Sequence, residues 1–217
     1  MRIDRSFWGM LDAADRSALQ GVATGVEFSP RSVICHQGDP SHNVLVVLRG
    51  RVRVSRVAAT GVETLLAVRG PGEIVGELSA VDGMGRSASV TAIDPVYGLM
   101  ISARALEALC RTRPGITWTV LRVVVSRQRA SGDRQDLRTG PSLYRVGAAL
   151  VLLAHREGDE LMATVPLSQQ ELASIVGISR ETLVRTLKVL RDEGVICTRR
   201  NRVEILREEE LRVRCGI

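Results

Sequence analysis

Residues Leu167–Gly194 read LSQQELASIVGISRETLVRTLKVLRDEG and predict two short helices joined by a tight turn. Ser168, followed three residues later by Glu171, is the capping-box pattern that begins a helix. Gly177 stands at the turn, where the backbone needs a residue that accepts a positive φ. Gly194 is expected to end the second helix in the same way. The segment therefore predicts a helix-turn-helix.

The second helix of this pair divides into an apolar face and a charged face. Leu183, Leu187 and Leu190 recur at helical spacing and are expected to pack against the core. On the charged face, arginine can bind guanine through O6 and N7, and glutamate can accept a hydrogen bond from cytosine N4. The candidates for base reading are Arg180, Glu181 and Arg185. The alternative is that Glu181 and Arg185 form only a surface ion pair.

The chain beyond this motif predicts a β-hairpin from Val195 to Leu206 with an arginine-rich tip. Arginines at such a tip can contact DNA phosphates and position the protein without reading bases. The expected contacts are Arg199, Arg200 and Arg202. The hairpin and the helix-turn-helix together predict a winged DNA-binding domain.

The first half of the chain predicts short antiparallel strands. Residues 44–57 alternate apolar and polar side chains after Gly50, residues 62–68 follow after a turn, and glycines punctuate this part of the chain at nearly regular spacing. These glycines are Gly50, Gly61, Gly70, Gly72 and Gly76. The pattern is typical of a compact barrel or jelly roll.

The remaining segments predict helices and divide the chain. Residues 103–111 have helical spacing, Pro114–Gly115 interrupts it, and residues 116 to about 135 predict one longer helix. Gly140–Pro141 is the clearest boundary, and another helix is expected over residues 143–156. We therefore expect an α+β chain in three parts, a sensor domain over 1–115, a helix and hinge over 116–139, and a DNA-binding domain over 140–217.

The stretches PGEIVGELS and RSASV, which begin at Pro71 and Arg86, form a second constellation that suits a cyclic phosphate. Gly76 lets backbone amides approach an anion, and Arg86 supplies a charge-assisted fork. Glu77 can accept a hydrogen bond from a ribose hydroxyl, and Ala88 leaves room for the ring. The alternative is a buried Glu77–Arg86 pair that only holds a loop.

Both motifs resemble one family. The stretch SRETLVRTLKVL, which begins at Ser179, resembles the recognition helix of the cyclic-AMP receptor protein family, the CRP/FNR superfamily of bacterial transcription regulators. The stretch GELSAVDGMGRSASVTA, which begins at Gly76, resembles the phosphate-binding cassette of that family. The resemblance runs from about residue 20 to residue 206. It implies a cyclic-nucleotide-binding β-roll, a long dimerisation helix and a winged helix-turn-helix.

The resemblance also implies roles for individual residues. It implies cyclic AMP as an effector and no tightly bound cofactor. The implied ligand-binding residues are Gly76, Glu77, Leu78, Arg86, Ser87, Ala88 and Ser131. The residues that match the base-reading positions of the family are Arg180, Glu181 and Arg185. The phosphate contacts expected on the two helices are Ser168, Gln170, Ser179, Thr182 and Lys188.

The long helix departs from the family pattern at the adenine contact. The family carries a Thr-Ser pair there, whereas this chain has Ala130-Ser131, so only Ser131 matches. The surrounding sequence is polar and contains Gly132, which weakens both a helix and an apolar dimer seam. Arg127 occupies a position where a leucine-like seam residue is expected. The phosphate half of the site is therefore matched better than the base half.

These observations predict a homodimeric, sequence-specific transcription regulator under allosteric control by a cyclic nucleotide. Its expected partners are duplex DNA with a TGTGA-like palindrome, RNA polymerase and a second copy of the chain. A regulator that senses a cyclic dinucleotide or no ligand is the alternative within this class, and a ligand-sensing protein-interaction module is the alternative outside it. Because no nucleophile–base pair, metal-ligand set or carboxylate pair stands outside the cassette, we expect neither an enzyme nor a metal site.

Composition narrows the choice of nucleic acid. The 217 residues carry a net charge of +6, with Lys188 the single lysine among 30 basic residues. The basic residues are spread along the chain, so a nucleic-acid surface must be a local patch. Two Phe, two Tyr and two Trp are too few for the stacking platforms that bind single strands. Duplex DNA is therefore the expected partner.

We expect neither a membrane span nor a secretion signal in this chain. The apolar run over residues 147–154 is far shorter than the roughly 18 residues that cross a bilayer. Asp4 and Arg5 place charges where a signal peptide needs apolar residues. No cysteine pair has CxxC spacing, so we expect four reduced thiols in a cytoplasmic protein. The cysteines are Cys35, Cys110, Cys197 and Cys215.

Overall fold

A computed structural model of the chain describes residues 6–40, 42–58, 61, 63–136, 140–154, 163–165, 167–199 and 201–217, with the backbone alone described for 130–136. The chain forms two compact units, Met1–Gln128 and Arg129–Ile217. Among the described residues, no helix is long and apolar enough to cross a membrane.

The first unit contains two antiparallel sheets. One has the strand order β1-β8-β3-β6 and the other the order β2-β7-β4-β5. Their strands are β1 (Thr24–Phe28), β2 (Val33–Cys35), β3 (Asn43–Arg49), β4 (Val52–Val57), β5 (Glu63–Arg69), β6 (Ile74–Val75), β7 (Ser89–Ala92) and β8 (Val96–Ser102). The expected β-roll is confirmed.

Strand β3 is apolar on both faces because both of its faces are covered. Val44 and Val46 belong to a core cluster shared with the helices of the first unit. Leu45 and Val47 belong to a second cluster, formed by strands of both sheets. Side chains alternate along a strand, so a continuous apolar run is what a strand buried on both sides requires.

Among the described residues, five helices belong wholly or partly to the first unit. They are α1 (Phe7–Met10), α2 (Ala13–Val22), α3 (Glu77–Asp82), α4 (Ala103–Thr112) and α5 (Pro114–Asp136). We expected α5 to begin at Ile116, but it begins at Pro114, because proline is favoured in the first helical turn. Ile116, Val120 and Val123 recur on one face of α5 and are buried in the core of the first unit.

The second unit is a helical bundle with a small sheet. Its helices are α6 (Ser142–Leu153), α7 (Gln169–Val176), α8 (Arg180–Asp192) and α9 (Glu208–Cys215), and its strands are β9 (Ala163–Val165), β10 (Ile196–Arg199) and β11 (Arg202–Ile205). The hairpin β10-β11 is confirmed, and β9 adds a third strand beside β11. Helix α6 ends at Leu153, before the position we expected, and residues 155–162 lie outside the described part of the chain. The sequence predicted neither β9 nor α9.

Candidate effector site and nucleic-acid interface

Gly76 forms the tight junction between β6 and α3. Its φ is 84°, a left-handed conformation that L-residues with side chains rarely adopt. A Cβ added at this position would lie 2.2 Å from Nη1 of Arg86. The left-handed backbone conformation therefore favours glycine, and the guanidinium of Arg86 packs directly against this turn.

Arg86 joins the turn to strand β3. Its Nη1 donates to the carbonyl oxygen of Gly76 at 3.1 Å, and its Nη2 donates to the carbonyl oxygen of Asn43 at 2.5 Å. The alternative expectation of a Glu77–Arg86 pair is wrong in this structure, because the guanidinium faces backbone oxygens. Arg86 thus fixes the start of α3 in addition to its expected place in a phosphate site.

Glu77 is instead paired with the long helix. Its side chain is only 4% exposed, and its Oε1 forms an ion pair with Nη1 of Arg127 on α5. Nη2 of Arg127 also donates to the carbonyl oxygen of Ile74 at 2.6 Å. We expected a leucine-like seam position at residue 127, but the side chain turns towards the cassette and neutralises a buried carboxylate. The sequence did not predict this contact.

A third arginine lies close to this pair. Arg69 forms an ion pair with Glu73 at 3.1 Å, and Glu73 also accepts from the backbone nitrogen of Gly70 at 2.8 Å. Burial lowers the pKa of the Arg69 guanidinium below its usual value; Glu73 opposes this shift, and the charge of Arg127 reinforces it. Arginine is the side chain best suited to anionic ligands because its planar fork donates several hydrogen bonds. Arg69 and Arg127 thus bring two guanidinium groups near the buried carboxylate of Glu77.

The other expected ligand residues differ in how far their side chains are exposed to solvent. Ala88 is buried, whereas Ser87 is exposed and Leu78 keeps 42% of its surface accessible. The side chains of Ala130 and Ser131 lie outside the described part of the chain. The structure thus brings Gly76 and Arg86 into direct contact, and Glu77 follows Gly76 directly in the chain. The side chains expected to contact the adenine are not described.

The helix-turn-helix has the local structure that its sequence predicts. Ser168 accepts from the backbone nitrogen of Glu171, whose carboxylate in turn accepts from the backbone nitrogen of Ser168, so the capping box is confirmed. Gly177 has a φ of 65° at the turn. Arg145 on α6 donates to the carbonyl oxygens of Val176 and Gly177, and it thereby ties the turn to the neighbouring helix.

The caps also occupy some of the hydroxyl groups expected at phosphates. The Ser168 hydroxyl lies 2.8 Å from the Glu171 carboxylate and is taken up by the capping box. Ser179 caps α8 by accepting from the backbone nitrogen of Thr182 at 3.1 Å, and the hydroxyls of these two residues are 2.9 Å apart. Gln170 is exposed on α7. Ser179 and Thr182 are therefore adjacent at the start of α8, and their phosphate contacts stay a prediction.

Helix α8 separates its two faces as expected. Leu183, Leu187 and Leu190 are buried in the second unit. The residues on the outer face are exposed; they are Arg180, Glu181, Arg185 and Lys188. Among the described residues, no ion pair or hydrogen bond joins Glu181 to Arg185, so the surface-pair alternative is not what the structure contains. These side chains can therefore reach a partner without breaking internal contacts.

The wing presents two arginines around one acidic residue. Arg199 and Arg202 face each other across the hairpin, and Asn201 at the tip has a φ of 57°. Nε of Arg199 lies 3.5 Å from Oε2 of Glu204, and Nη2 of Arg202 lies 2.8 Å from Oε1. Arg200 lies outside the described part of the chain. Sequence reasoning missed Glu204, although its alternation with Arg202 along β11 was a usable signal.

Metal-ligand geometry is not found in the part of the chain that the structure describes. No group of three or more His, Cys, Asp or Glu side chains there is close enough together to hold a metal ion. The four cysteines are free thiols.

Comparison with known proteins finds one family match for the part of the chain that holds the cassette and another for the part that holds the helix-turn-helix. Residues 25–113 match the cyclic nucleotide-binding domain family, and residues 144–214 match the Crp-like helix-turn-helix domain family. The chain is 33% identical over 196 residues to the CRP-like cAMP-activated global transcriptional regulator of Mycobacterium tuberculosis. That alignment covers 87% of this chain and 88% of the mycobacterial protein.

Solved structures share the fold. FixK2 from Bradyrhizobium japonicum has a TM-score of 0.77 at 20% identity, over 89% of this chain and 97% of that chain. The c-di-GMP-responsive global regulator CLP of Xanthomonas campestris has a TM-score of 0.72 at 21% identity, over 89% of this chain and 99% of that chain. The chain therefore belongs to the CRP/FNR family of transcription regulators, with a cyclic nucleotide-binding domain followed by a Crp-like helix-turn-helix domain.

Proposed function

We propose that this chain is a homodimeric regulator whose affinity for a palindromic DNA site is set by a cyclic nucleotide, cyclic AMP, bound at the cassette. The observation that carries the proposal is the ion pair between buried Glu77 and Arg127. It links the residue expected to hold a ribose hydroxyl to helix α5. A ligand at Glu77 therefore acts on the element that leads towards the DNA-binding unit.

The cassette supplies the chemistry that a cyclic nucleotide needs. Arg86 offers a charge-assisted fork for the cyclic phosphate, and the exposed Ser87 adds a hydroxyl next to it. Glu77 accepts a hydrogen bond from a ribose hydroxyl, and this bond changes the strength of its ion pair with Arg127. Because a ligand shifts a conformational equilibrium only through different affinities for the two states, this change of partners is the proposed origin of the response.

The upper half of α5 supports the proposed dimer. Trp118, Leu121 and Val125 are exposed by 61%, 46% and 43%, and they recur at spacings of three and four residues. This is the spacing of a coiled-coil seam, in which two helices pack along one apolar stripe. The face opposite the buried residues Ile116 and Val120 is therefore proposed to pack against α5 of a second copy.

The proposed DNA site follows from the symmetry of such a dimer. Two recognition helices related by a two-fold axis read half-sites one helical turn apart, about 34 Å. Arg180, Glu181 and Arg185 are proposed to read bases in a TGTGA-like half-site, and Lys188 and the wing arginines are proposed to contact phosphates. Bound there, the regulator is proposed to act on RNA polymerase. The proposal includes no catalytic step.

Calorimetry of the purified full chain with cyclic AMP, cyclic GMP and cyclic di-GMP tests the effector. We expect cyclic AMP to bind, with weak discrimination from cyclic GMP, because one matching hydroxyl, Ser131, supplies little base readout. Tight binding of cyclic di-GMP alone would favour the cyclic-dinucleotide alternative. Binding of none of the three would mean that the cassette is not an effector site.

A gel-shift titration on duplex DNA, with and without the nucleotide, tests the coupling. Arg127→Gln is the informative variant, because it keeps the cassette residues but removes the charge that joins Glu77 to α5. We expect this variant to bind cyclic AMP while losing most of the nucleotide-dependent increase in DNA affinity. An unchanged increase in Arg127→Gln would contradict the proposed route.

A further inference from the structure

The wing contains a buried carboxylate under two exposed arginines. The Glu204 side chain is 10% exposed, whereas those of Arg199 and Arg202 are 62% and 53% exposed. Both guanidinium groups converge on this one carboxylate, each on a different oxygen. A glutamate is seldom buried without compensating partners, so this placement needs a reason.

The register of the small sheet sets this arrangement. Arg202 and Glu204 are two residues apart on β11 and therefore share one face of the sheet. Arg199 pairs with Arg202 across the hairpin, and Cys197 and Thr164 pair with Glu204 from the two neighbouring strands. No other charged residue is paired directly with Glu204 in the described sheet. The two arginines are therefore its charge partners on this face.

We propose that Glu204 is a positioning residue that holds Arg199 and Arg202 in the orientation in which they contact a DNA phosphate. This inference rests on the proposed function, in which the wing contacts DNA. A guanidinium has five donors, and the carboxylate uses Nε of Arg199 and one Nη of Arg202. The remaining donors stay available for a phosphate. The triad keeps a net charge of +1, so it still attracts the DNA backbone.

The structural reason for such a residue is conformational freedom. Exposed arginine side chains lose rotamer freedom when they bind, and this loss opposes binding. An ion pair that already restricts both side chains removes part of that cost before DNA arrives. The carboxylate itself repels phosphate, so its presence favours binding only if the positioning effect is larger than the repulsion.

These two effects have opposite signs, which makes the proposal testable. Glu204→Gln removes one negative charge and keeps the shape of the side chain. If Glu204 is only a nearby negative charge, this variant binds DNA more tightly and with a steeper salt dependence. If Glu204 positions the arginines, it binds more weakly, by about fivefold if the pairing is worth about as much as an exposed ion pair.

The matched control is Glu209→Gln, an exposed glutamate on α9 of the same unit. It makes the same change of net charge away from the wing arginines. Affinity for one duplex is measured over a salt series for the wild type and both variants. We expect Glu204→Gln to weaken binding relative to Glu209→Gln and to lower the salt slope by about 0.9, the slope of one phosphate contact. Binding as tight as that of the control, or tighter, overturns the proposal.

The double variant Arg199→Ala/Arg202→Ala separates this inference from the proposed function. We expect it to weaken binding to all DNA sites alike. When Glu204→Gln is added to this double variant, we expect DNA affinity to stay the same or to increase. If the double variant binds as the wild type does, the wing does not contact phosphate, and both the wing contact and this inference are wrong. If it weakens binding but Glu204→Gln does not, only the positioning role is wrong.

A measurement on the wild type guards against a folding defect in the variants. Exchange of the Nε proton of Arg199 with solvent, observed by NMR, reports its hydrogen bond to Glu204. We expect slower exchange than for Arg185, which has no described partner. Equal rates for the two arginines would overturn the positioning role without any substitution.

Discussion

The cassette and the outer face of α8 both carry charged side chains, but the two regions hold them differently. In the cassette, Arg86 donates to two backbone carbonyls, and Glu77 is paired with Arg127. On α8, Arg180 and Arg185 are exposed and contact no other polar group among the described residues. The first region is internally satisfied, and the second has donors available for a partner.

This difference assigns different physical tasks to the two units. A ligand at the cassette must replace contacts that already hold α3, β3 and α5 together. Replacing contacts changes the relative stability of conformations, which is what an allosteric response requires. DNA, in contrast, meets side chains that need no prior release. We therefore infer that switching depends on the first unit and that base reading depends on a preformed helix face.

The largest effect is expected for Arg86→Leu. Leucine removes the proposed phosphate contact, and it also leaves the carbonyl oxygens of Gly76 and Asn43 without their donors. We expect no measurable binding of cyclic AMP by calorimetry. We also expect a loss of about 2–3 kcal/mol in the free energy of unfolding in urea, since hydrogen bonds to a charged donor are lost. Non-specific DNA affinity is expected to remain.

Arg104→Leu is the matched control for this variant. Arg104 is an exposed arginine of the first unit on α4, and the same substitution there removes a charge without breaking a described hydrogen bond. We expect the control to bind cyclic AMP as the wild type does. Wild-type affinity in Arg86→Leu would contradict the phosphate role, and wild-type stability would contradict the backbone role.

This dual role of Arg86 shows what the sequence could predict and what it could not. Gly76, with Arg86 ten residues later, predicted a phosphate site, because both residue types suit an anion. The sequence did not predict that Arg86 contacts Gly76 and Asn43, since Asn43 lies far away along the chain. Local patterns predicted the helix-turn-helix fully, because caps and turn glycines act within four residues of one another.

The contacts that the sequence missed join distant segments. Arg127 continues the spacing of Ile116, Val120 and Val123, the buried face of α5, and this charge in a buried series was a signal that the sequence analysis did not use. The identity of the partner, Glu77, depends on how α5 packs against the cassette. Strand β9 was missed for the same reason, because three residues have little pattern of their own and are defined by their pairing with β11.

Effects of intermediate size are expected on the outer face of α8, where the side chains are already exposed. Arg180→Ala and Arg185→Ala should each weaken binding to the preferred site by about 1–3 kcal/mol and relax specificity at one guanine. Competition binding with duplexes substituted at single positions measures both quantities. Because α8 needs no rearrangement, the loss is expected to be the same with and without cyclic AMP.

Arg191→Ala, at the C-terminal end of the same helix, is the control for these two variants. It removes an exposed arginine whose nearest ionic neighbour is Asp192 at 3.9 Å. We expect it to leave sequence preference unchanged. If Arg180→Ala and Arg185→Ala weaken all sequences equally, these residues contact phosphates and do not read bases.

The smallest effect concerns Cys35, whose thiol reports the charge on Arg86. Burial raises the pKa of the Cys35 thiol above its usual value, and the positive charge of Arg86 partly opposes this shift. A ligand phosphate that neutralises Arg86 removes the opposing effect, so the pKa of Cys35 rises further. Less thiolate is then present near pH 8, and alkylation by iodoacetamide should be slower.

Cys110 is the internal control for this measurement. Burial also raises the pKa of its thiol, and a hydrogen bond with Thr117 opposes the shift, without a contribution from Arg86. Its alkylation rate, followed by mass spectrometry, should not respond to the nucleotide. A bound ligand could also shield Cys35 sterically, but Arg86→Leu without ligand removes the same charge and leaves the site open. Slower alkylation of Cys35 in both experiments would support a ligand phosphate at Arg86, whereas an unchanged rate in Arg86→Leu would show that the guanidinium does not act on this thiol.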